Sequence, residues 1–202
     1  HVAYLDRTLK RGAASADALE AVGVVGEEIK RLASLVTEFL DFARPKPLER
    51  RTTSLGAIVA RASDLADSHA QTGNCSIVRD LPARDIVAEV DSQKLEQVLL
   101  NLIRNAVEAV TPAGGGKVTV RLRRQPKTAI IEVEDDGPGL PSPNAPIFDA
   151  FYTTKPEGTG LGLAITHRIV TDHDGTLEVD SRPGRTVFRV ALPLSPTPES
   201  AA

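Results

Sequence analysis

The sequence predicts an α+β architecture in two parts: a helical hairpin forming half of a dimeric four-helix bundle, then an α/β sandwich domain on a mixed sheet. Three observations carry that expectation. A seven-residue apolar repeat precedes residue 44; β-rich runs alternate with amphipathic helices after residue 50; and two glycine clusters, DDGPGL at 135–140 and GTGLGL at 158–163, bracket a segment rich in Pro, Thr and Lys.

The hairpin comes first. Val2, Leu5 and Leu9 repeat at helical spacing, Gly12 to Ser15 break the pattern, and Asp17 is a candidate cap for a second helix. In that helix Val22, Ile29, Val36 and Ala43 recur every seven residues, with Val25, Leu32 and Phe39 three places later, which is a coiled-coil seam. Glu27, Glu28, Lys30, Arg31 and Glu38 fall off it. Two helices cannot bury such a seam alone, so pairing with a second copy is the economical solution; packing on the rest of the chain is the alternative. Arg44, Pro45, Lys46 and Pro47 end the helix, because proline lacks the amide donor and restrains its predecessor. The expected boundaries are therefore a hairpin over 1–44, a linker over 45–50, a second domain over 51–194 and a frayed tail over 195–202.

Within the second domain the patterns predict a strand at 51–54, a helix over 55–70, strands at 75–79 and 86–90, and a long helix capped by Asp91 or Ser92 and running through Val110. Strands follow at 117–123 and 128–134, the latter with Ile131 and Val133 inward and Glu132 and Glu134 outward. Asp135 ends that strand, where its carboxylate is expected at the sheet edge. A helix over 160–171, a turn at Gly175 and strands at 177–179 and 186–192 complete the domain.

Composition narrows the function classes. Hydrophobic content of 41% and charged content of 25% are those of a globular protein, and a net charge of -3 gives no reason to expect nucleic acid or anionic membrane as a partner. The single Cys75 cannot form an internal disulfide, which points to a reducing, cytoplasmic compartment. No apolar run is long enough to span a bilayer. The chain begins at His1 and contains no methionine, so a longer protein is expected, in which membrane attachment would come only through segments absent here.

The glycine clusters carry the chemistry. Glycine permits close approach of backbone to ligand, and a helix N-terminus offers free N–H groups to an anion. GTGLGL lacks the Gly-Lys-Ser/Thr ending of a P-loop, and the order strand, Asp, glycines, mobile segment, glycines, helix differs from the dinucleotide fingerprint. The long helix contains NLIRNAVEA, placing Asn101, Asn105 and Glu108 on neighbouring turns of one face, apart from apolar Leu99, Leu102, Ile103 and Ala106. A neutral amide oxygen suits a hard cation held mainly by phosphates; two solvated asparagines are the simpler reading of the helix alone. Asp135 is placed either to accept a hydrogen bond from an exocyclic amino group or to serve as an acidic turn residue. Lys155 is either a point charge for a phosphate or an exposed loop lysine.

In order and spacing these elements resemble the ATP-binding domain of sensor histidine kinases of two-component systems, within the ATPase superfamily shared with gyrase and the heat-shock chaperones. NLIRNAVEA resembles the family's N box, DDGPGL its G1 box, FDAFYTTK its F box, GTGLGL its G2 box and PGRTVFRVALP its final strand, so the resemblance runs from about Thr52 to Pro193. The hairpin is similar to the dimerisation and phosphotransfer element, and LDFARPKP to the end of its second helix. The lid between Leu140 and Glu157 is short, as in nitrogen-regulation kinases.

The resemblance implies ATP and Mg²⁺ as cofactors, a homodimer, and a response-regulator receiver domain as partner. It implies that Asn105 binds the metal with Asn101 beside it, and that Asp135 takes the adenine amino group with Gly137 and Gly139 shaping the pocket. Gly158, Thr159, Gly160, Leu161 and Gly162 would approach the phosphates, with Lys155 and Thr186 as further contacts. Asn101 stands where hydrolysing branches carry a glutamate; an amide cannot act as general base, which keeps the γ-phosphoryl for a protein imidazole. One family feature is missing. No His-Glu-x-Arg-Asn-Pro motif is present, His1 is followed by Val2, Ala3 and Tyr4, and His69, His167 and His173 fall inside the second domain. The chain is thus expected to bind ATP without phosphorylating its own helices. The alternatives are a non-catalytic ATP-binding scaffold or regulator-phosphatase module, which the missing motif favours if the natural chain begins near His1, and an ATP hydrolase, which Asn101 disfavours.

Overall fold

The computed structural model describes residues 16–43, 47–142, 145–155 and 158–194. The first hairpin helix, His1 and the tail from residue 195 lie outside the described residues. The chain divides into two compact units between Lys46 and Pro47.

In the first unit, helix α1 spans Ala16–Ala43. Asp17 lies inside it rather than at a cap. The apolar seam is open: Val25, Ile29, Leu32, Val36 and Phe39 are 47–57% exposed.

In the second unit, β1 (Arg51–Ser54) leads into α2 (Leu55–Thr72), β2 (Cys75–Asp80), β3 (Val87–Val90) and α3 (Ser92–Val110). A 3₁₀ turn at Thr111–Ala113 leads to β4 (Gly116–Arg124) and β5 (Thr128–Asp135), followed after the glycine-bracketed segment by α4 (Gly162–Asp172), β6 (Thr176–Arg182) and β7 (Arg185–Pro193). The five-stranded sheet has the order β2-β4-β5-β7-β6, mixed because only β2 and β4 run parallel. Contrary to a single-sheet reading, β1 and β3 leave it and pair with each other. The three helices pack together over the sheet, with α3 between α2 and α4 and against β4 and β5. Leu95, Leu99, Leu102 and Ile103 of α3 and Leu122, Ile131 and Leu192 of the sheet are fully buried, and α3 packs on β4 and β5, which removes apolar surface from water and fixes it on the sheet.

The open face of the sheet is charged. Asp80, Arg121, Glu132, Arg189 and Glu178 are successive cross-strand partners, one from each strand. Arg189 reaches Glu132 at 2.9 Å, and Arg121 reaches Glu134 at 3.0 Å, holding that carboxyl below the usual carboxylate range.

A hydrogen-bonded junction links the start of α3 to the end of α4. Asp91 caps α3, accepting from the backbone N–H of Gln93 and Lys94 at 3.1 Å. Its own N–H donates to Nε2 of His173, 3.0 Å away, just past the C-terminus of α4. Because Nε2 accepts, Nδ1 carries the proton and donates to the Ile169 carbonyl at 2.7 Å. The linker docks at the same place: the Glu49 N–H donates to Asp91 Oδ2 at 3.0 Å, and Arg50 binds Asp174 at 2.8 Å and the Asp172 carbonyl.

Helix α4 begins at Gly162, two residues later than the pattern predicts. Gly160 has φ +68, outside the helical region, and Thr159 Oγ1 accepts the Leu161 N–H at 3.1 Å, so a turn precedes the helix.

Candidate functional site

One helix touches both glycine clusters. A side chain at Gly137 would place its Cβ 3.3 Å from Cβ of Ala109, near the end of α3. A side chain at Gly162 would place its Cβ 2.7 Å from Oδ1 and 3.1 Å from Nδ2 of Asn101. Ala109 and Asn101 lie about 12 Å apart along the helix axis, from a rise of 1.5 Å per residue. Asn105 lies one turn from each.

At the first end stands Asp135. The structure corrects its expected place at the sheet edge: it closes β5, the central strand, because β7 and β6 continue the sheet beyond it. It is only 3% exposed. Burial pushes its carboxyl up to about 6, with Asp136 and Glu134 adding to the rise against the Gly137 N–H, which donates to Oδ1 at 3.0 Å. A buried carboxylate with a single amide donor is suited to a ligand that brings its own N–H groups. Thr186 is the cross-strand partner of Asp135 on β7, and its hydroxyl meets that of Ser181 at 3.0 Å. Ser181 in turn accepts the Leu140 N–H at 2.9 Å, tying the segment after the first cluster to the sheet. Gly139, at φ +87, lies against the Arg182 carbonyl, where a Cβ would come within 2.9 Å.

At the other end Asn101 donates through Nδ2 to Thr166 Oγ1 at 2.9 Å. One turn on, Asn105 Oδ1 accepts from the Lys155 ammonium at 2.9 Å, and the same ammonium pairs with Glu108. Those two oxygen-bearing side chains thus already receive one cation. An amide oxygen beside a carboxylate is the hard donor set that Mg²⁺ takes alongside phosphate oxygens, so the residues fit that metal. Among the described residues no group of three or more His, Cys, Asp or Glu is placed to hold a metal.

The segment between the clusters leans on α4. Ile147 is buried, and the Phe148 ring lies 5.3 Å from that of His167. Phe151 is exposed and held at φ +69, an uncommon conformation for a bulky residue, with its N–H on the Gly160 carbonyl at 2.9 Å. Gly158 passes over Thr153 and Lys155, and Leu161 is buried beneath the turn. Of the residues expected from sequence, the structure brings Gly137, Lys155 and Gly162 to α3, which carries Asn101 and Asn105, whereas Gly139 and Thr186 meet Arg182 and Ser181 of β6, and Gly158 and Gly160 meet Thr153 and Phe151. Sequence reasoning missed Thr166 and Ser181, small hydroxyls inside a helix and a strand, whose roles depend on partners 65 and 41 residues away. Glu108 was legible from its helical spacing, but its pairing with Lys155 was not.

The chain is similar to known proteins in sequence and in fold. Residues 90–196 match the family model of histidine kinase-, DNA gyrase B- and HSP90-like ATPases. Sporulation kinase C of Bacillus subtilis (strain 168) is 36% identical over 174 residues, covering 85% of this chain and 40% of that protein. The sensory histidine kinase/phosphatase NtrB of Rhodobacter capsulatus is 34% identical over 194 residues, 90% of this chain and 54% of that one. The chain thus spans about half, or less, of the length of these relatives. Among solved structures, full-length ShkA in complex with AMPPNP aligns over 98% of this chain and 44% of its own, with a TM-score of 0.80 at 27% identity. With the matched residues holding the asparagine helix and both glycine clusters, the chain belongs to the histidine kinase-, DNA gyrase B- and HSP90-like ATPase family.

Proposed function

We propose that the chain is the cytoplasmic core of a sensor histidine kinase that binds Mg·ATP and passes the γ-phosphoryl to a histidine, for relay to an aspartate of a response-regulator receiver domain. The observation that carries this reading is the contact of α3 with both glycine clusters, at Ala109 and at Asn101. Asp135 takes the adenine amino group at one end. At the other, the N-terminus of α4 from Leu161 to Leu163 receives the phosphates. When bound, Mg²⁺ held by Asn105 Oδ1 neutralises phosphate charge. Lys155 leaves Asn105 and Glu108 for a phosphate oxygen.

The imidazole nitrogen attacks the γ-phosphorus, the bond from that phosphorus to the β,γ-bridging oxygen breaks, and ADP leaves with the electron pair. Asn101 has no basic lone pair with which to activate water, and its amide is already committed to Thr166. Catalysis in this domain is therefore positioning and charge neutralisation. No acceptor motif is present in this sequence, and among the described histidine side chains the nitrogens of His173 are engaged with Asp91 and Ile169 and His167 sits on α4 beside Phe148. The open seam of α1 supports a homodimer, with residues 1–44 as the dimerisation and phosphotransfer hairpin, 45–50 as linker and 51–194 as the ATP-binding domain.

The test uses γ-labelled ATP on this chain and on a version extended through the encoded upstream sequence. The extended protein should acquire acid-labile, base-stable label and this chain none. Steady release of inorganic phosphate with no phosphohistidine on the longer protein would overturn the assignment.

A further inference from the structure

The two helices that build the phosphate end of the site are tied at a point the proposed chemistry does not use. Thr166 is 1% exposed and lies one turn beyond Gly162 on the same face of α4. Gly162 leaves room for the Asn101 amide, since a Cβ there would stand 2.7 Å from Oδ1, and Thr166 Oγ1 accepts from Nδ2 at 2.9 Å. Together they form a seat for one amide. A threonine hydroxyl within a helix usually finds its partner in the carbonyl of its own preceding turn. Here it receives a side chain from another helix, in a partly buried contact where an N–H without that acceptor would be left poorly paired.

We propose that Thr166 is a positioning residue for the phosphate and metal end of the site, an inference that rests on the nucleotide reading above. Its hydroxyl fixes which way the Asn101 amide faces, Nδ2 toward Thr166 and Oδ1 toward the first turn of α4. That bond sets the distance between the turn of α3 bearing Asn105 and the N-terminal N–H groups of α4. Among the described residues the other hydrogen bond linking the ends of these packed helices, Asp91 to His173, lies at the far end and does not fix the near end. Adenine recognition is insulated from this change, because Gly137, whose N–H holds the Asp135 carboxylate, meets α3 at Ala109, two turns away.

Calorimetric titration of the whole chain separates the two ends. Thr166→Val keeps the side-chain shape and replaces the hydroxyl with a methyl group, while Thr166→Ser keeps the hydroxyl. Thr166→Val should weaken Mg·ADP about tenfold and leave adenosine within about twofold of wild type, and Thr166→Ser should return Mg·ADP to within about threefold. Unchanged Mg·ADP affinity in Thr166→Val, a parallel loss of adenosine, or failure of serine to rescue would each overturn the role. A wild-type chain that binds neither ligand would sink the nucleotide reading, and this inference with it.

Discussion

Asp135→Asn should make the domain more stable and a worse nucleotide binder, and the two effects have the same origin. In the folded chain burial holds the Asp135 carboxyl at about 6, against an ordinary value of 3.8. Between those values the native state binds more protons than the unfolded one, so this group removes stability as pH rises through the window and leaves it undiminished below it. A gap of about two pH units corresponds to about 3 kcal/mol above pH 6, at 1.36 kcal/mol per unit. Asparagine has the same shape, accepts from the Gly137 N–H and carries no charge to bury. Urea unfolding without nucleotide should show the variant more stable by about 2–3 kcal/mol at pH 8 and by about 1 kcal/mol at pH 4.5. Adenosine affinity at pH 8 should fall by about tenfold or more, the worth of a hydrogen bond to a charged acceptor. A variant less stable than wild type at pH 8, or a gain equal at both pH values, would refute burial as the cause of the shift.

Three further outcomes follow from the same geometry. Asn105→Ala should weaken Mg·ATP by about tenfold or more and adenosine hardly at all, measured by calorimetry with and without EDTA; equal losses would count against the metal role. His173→Ala should destabilise the domain by about 1–3 kcal/mol in thermal or urea unfolding, because it strips the Asp91 N–H of its acceptor at the start of α3; a change near zero would mean that water or another group replaces the ring. Lys155→Gln should shift stability by less than about 1 kcal/mol, since its pair with Glu108 is solvent-facing, yet reduce Mg·ATP affinity in a way that fades as salt rises; a salt-independent loss would argue against a charge contact with phosphate.

Most elements were legible because their signals are local. Period-two alternation marked β5, Asp91 marked the start of α3, and glycine clustering with the asparagine spacing marked the site. What remained hidden depends on long-range pairing. The alternation in Ile131 to Glu134 shows which face is buried but not that β5 is central, which put Asp135 at an edge it does not occupy. Gly160 reads as a helix start by pattern, and only its positive φ against the Phe151 backbone moves that start to Gly162. Thr166 and Ser181 look like ordinary residues of a helix and a strand until Asn101 and Leu140 arrive beside them.

The row of cross-strand partners on the open face, Asp80, Arg121, Glu132, Arg189 and Glu178, alternates in sign from one strand to the next. Exchanging any two neighbouring strands would set like charges side by side, and sliding a strand by one residue would drive a charge into the hydrophobic layer. The row also begins and ends on an acid, at β2 and at β6. Two molecules meeting rim to rim would present carboxylate to carboxylate, so the same ladder that keeps the strands in sequence discourages this sheet from growing into its neighbour.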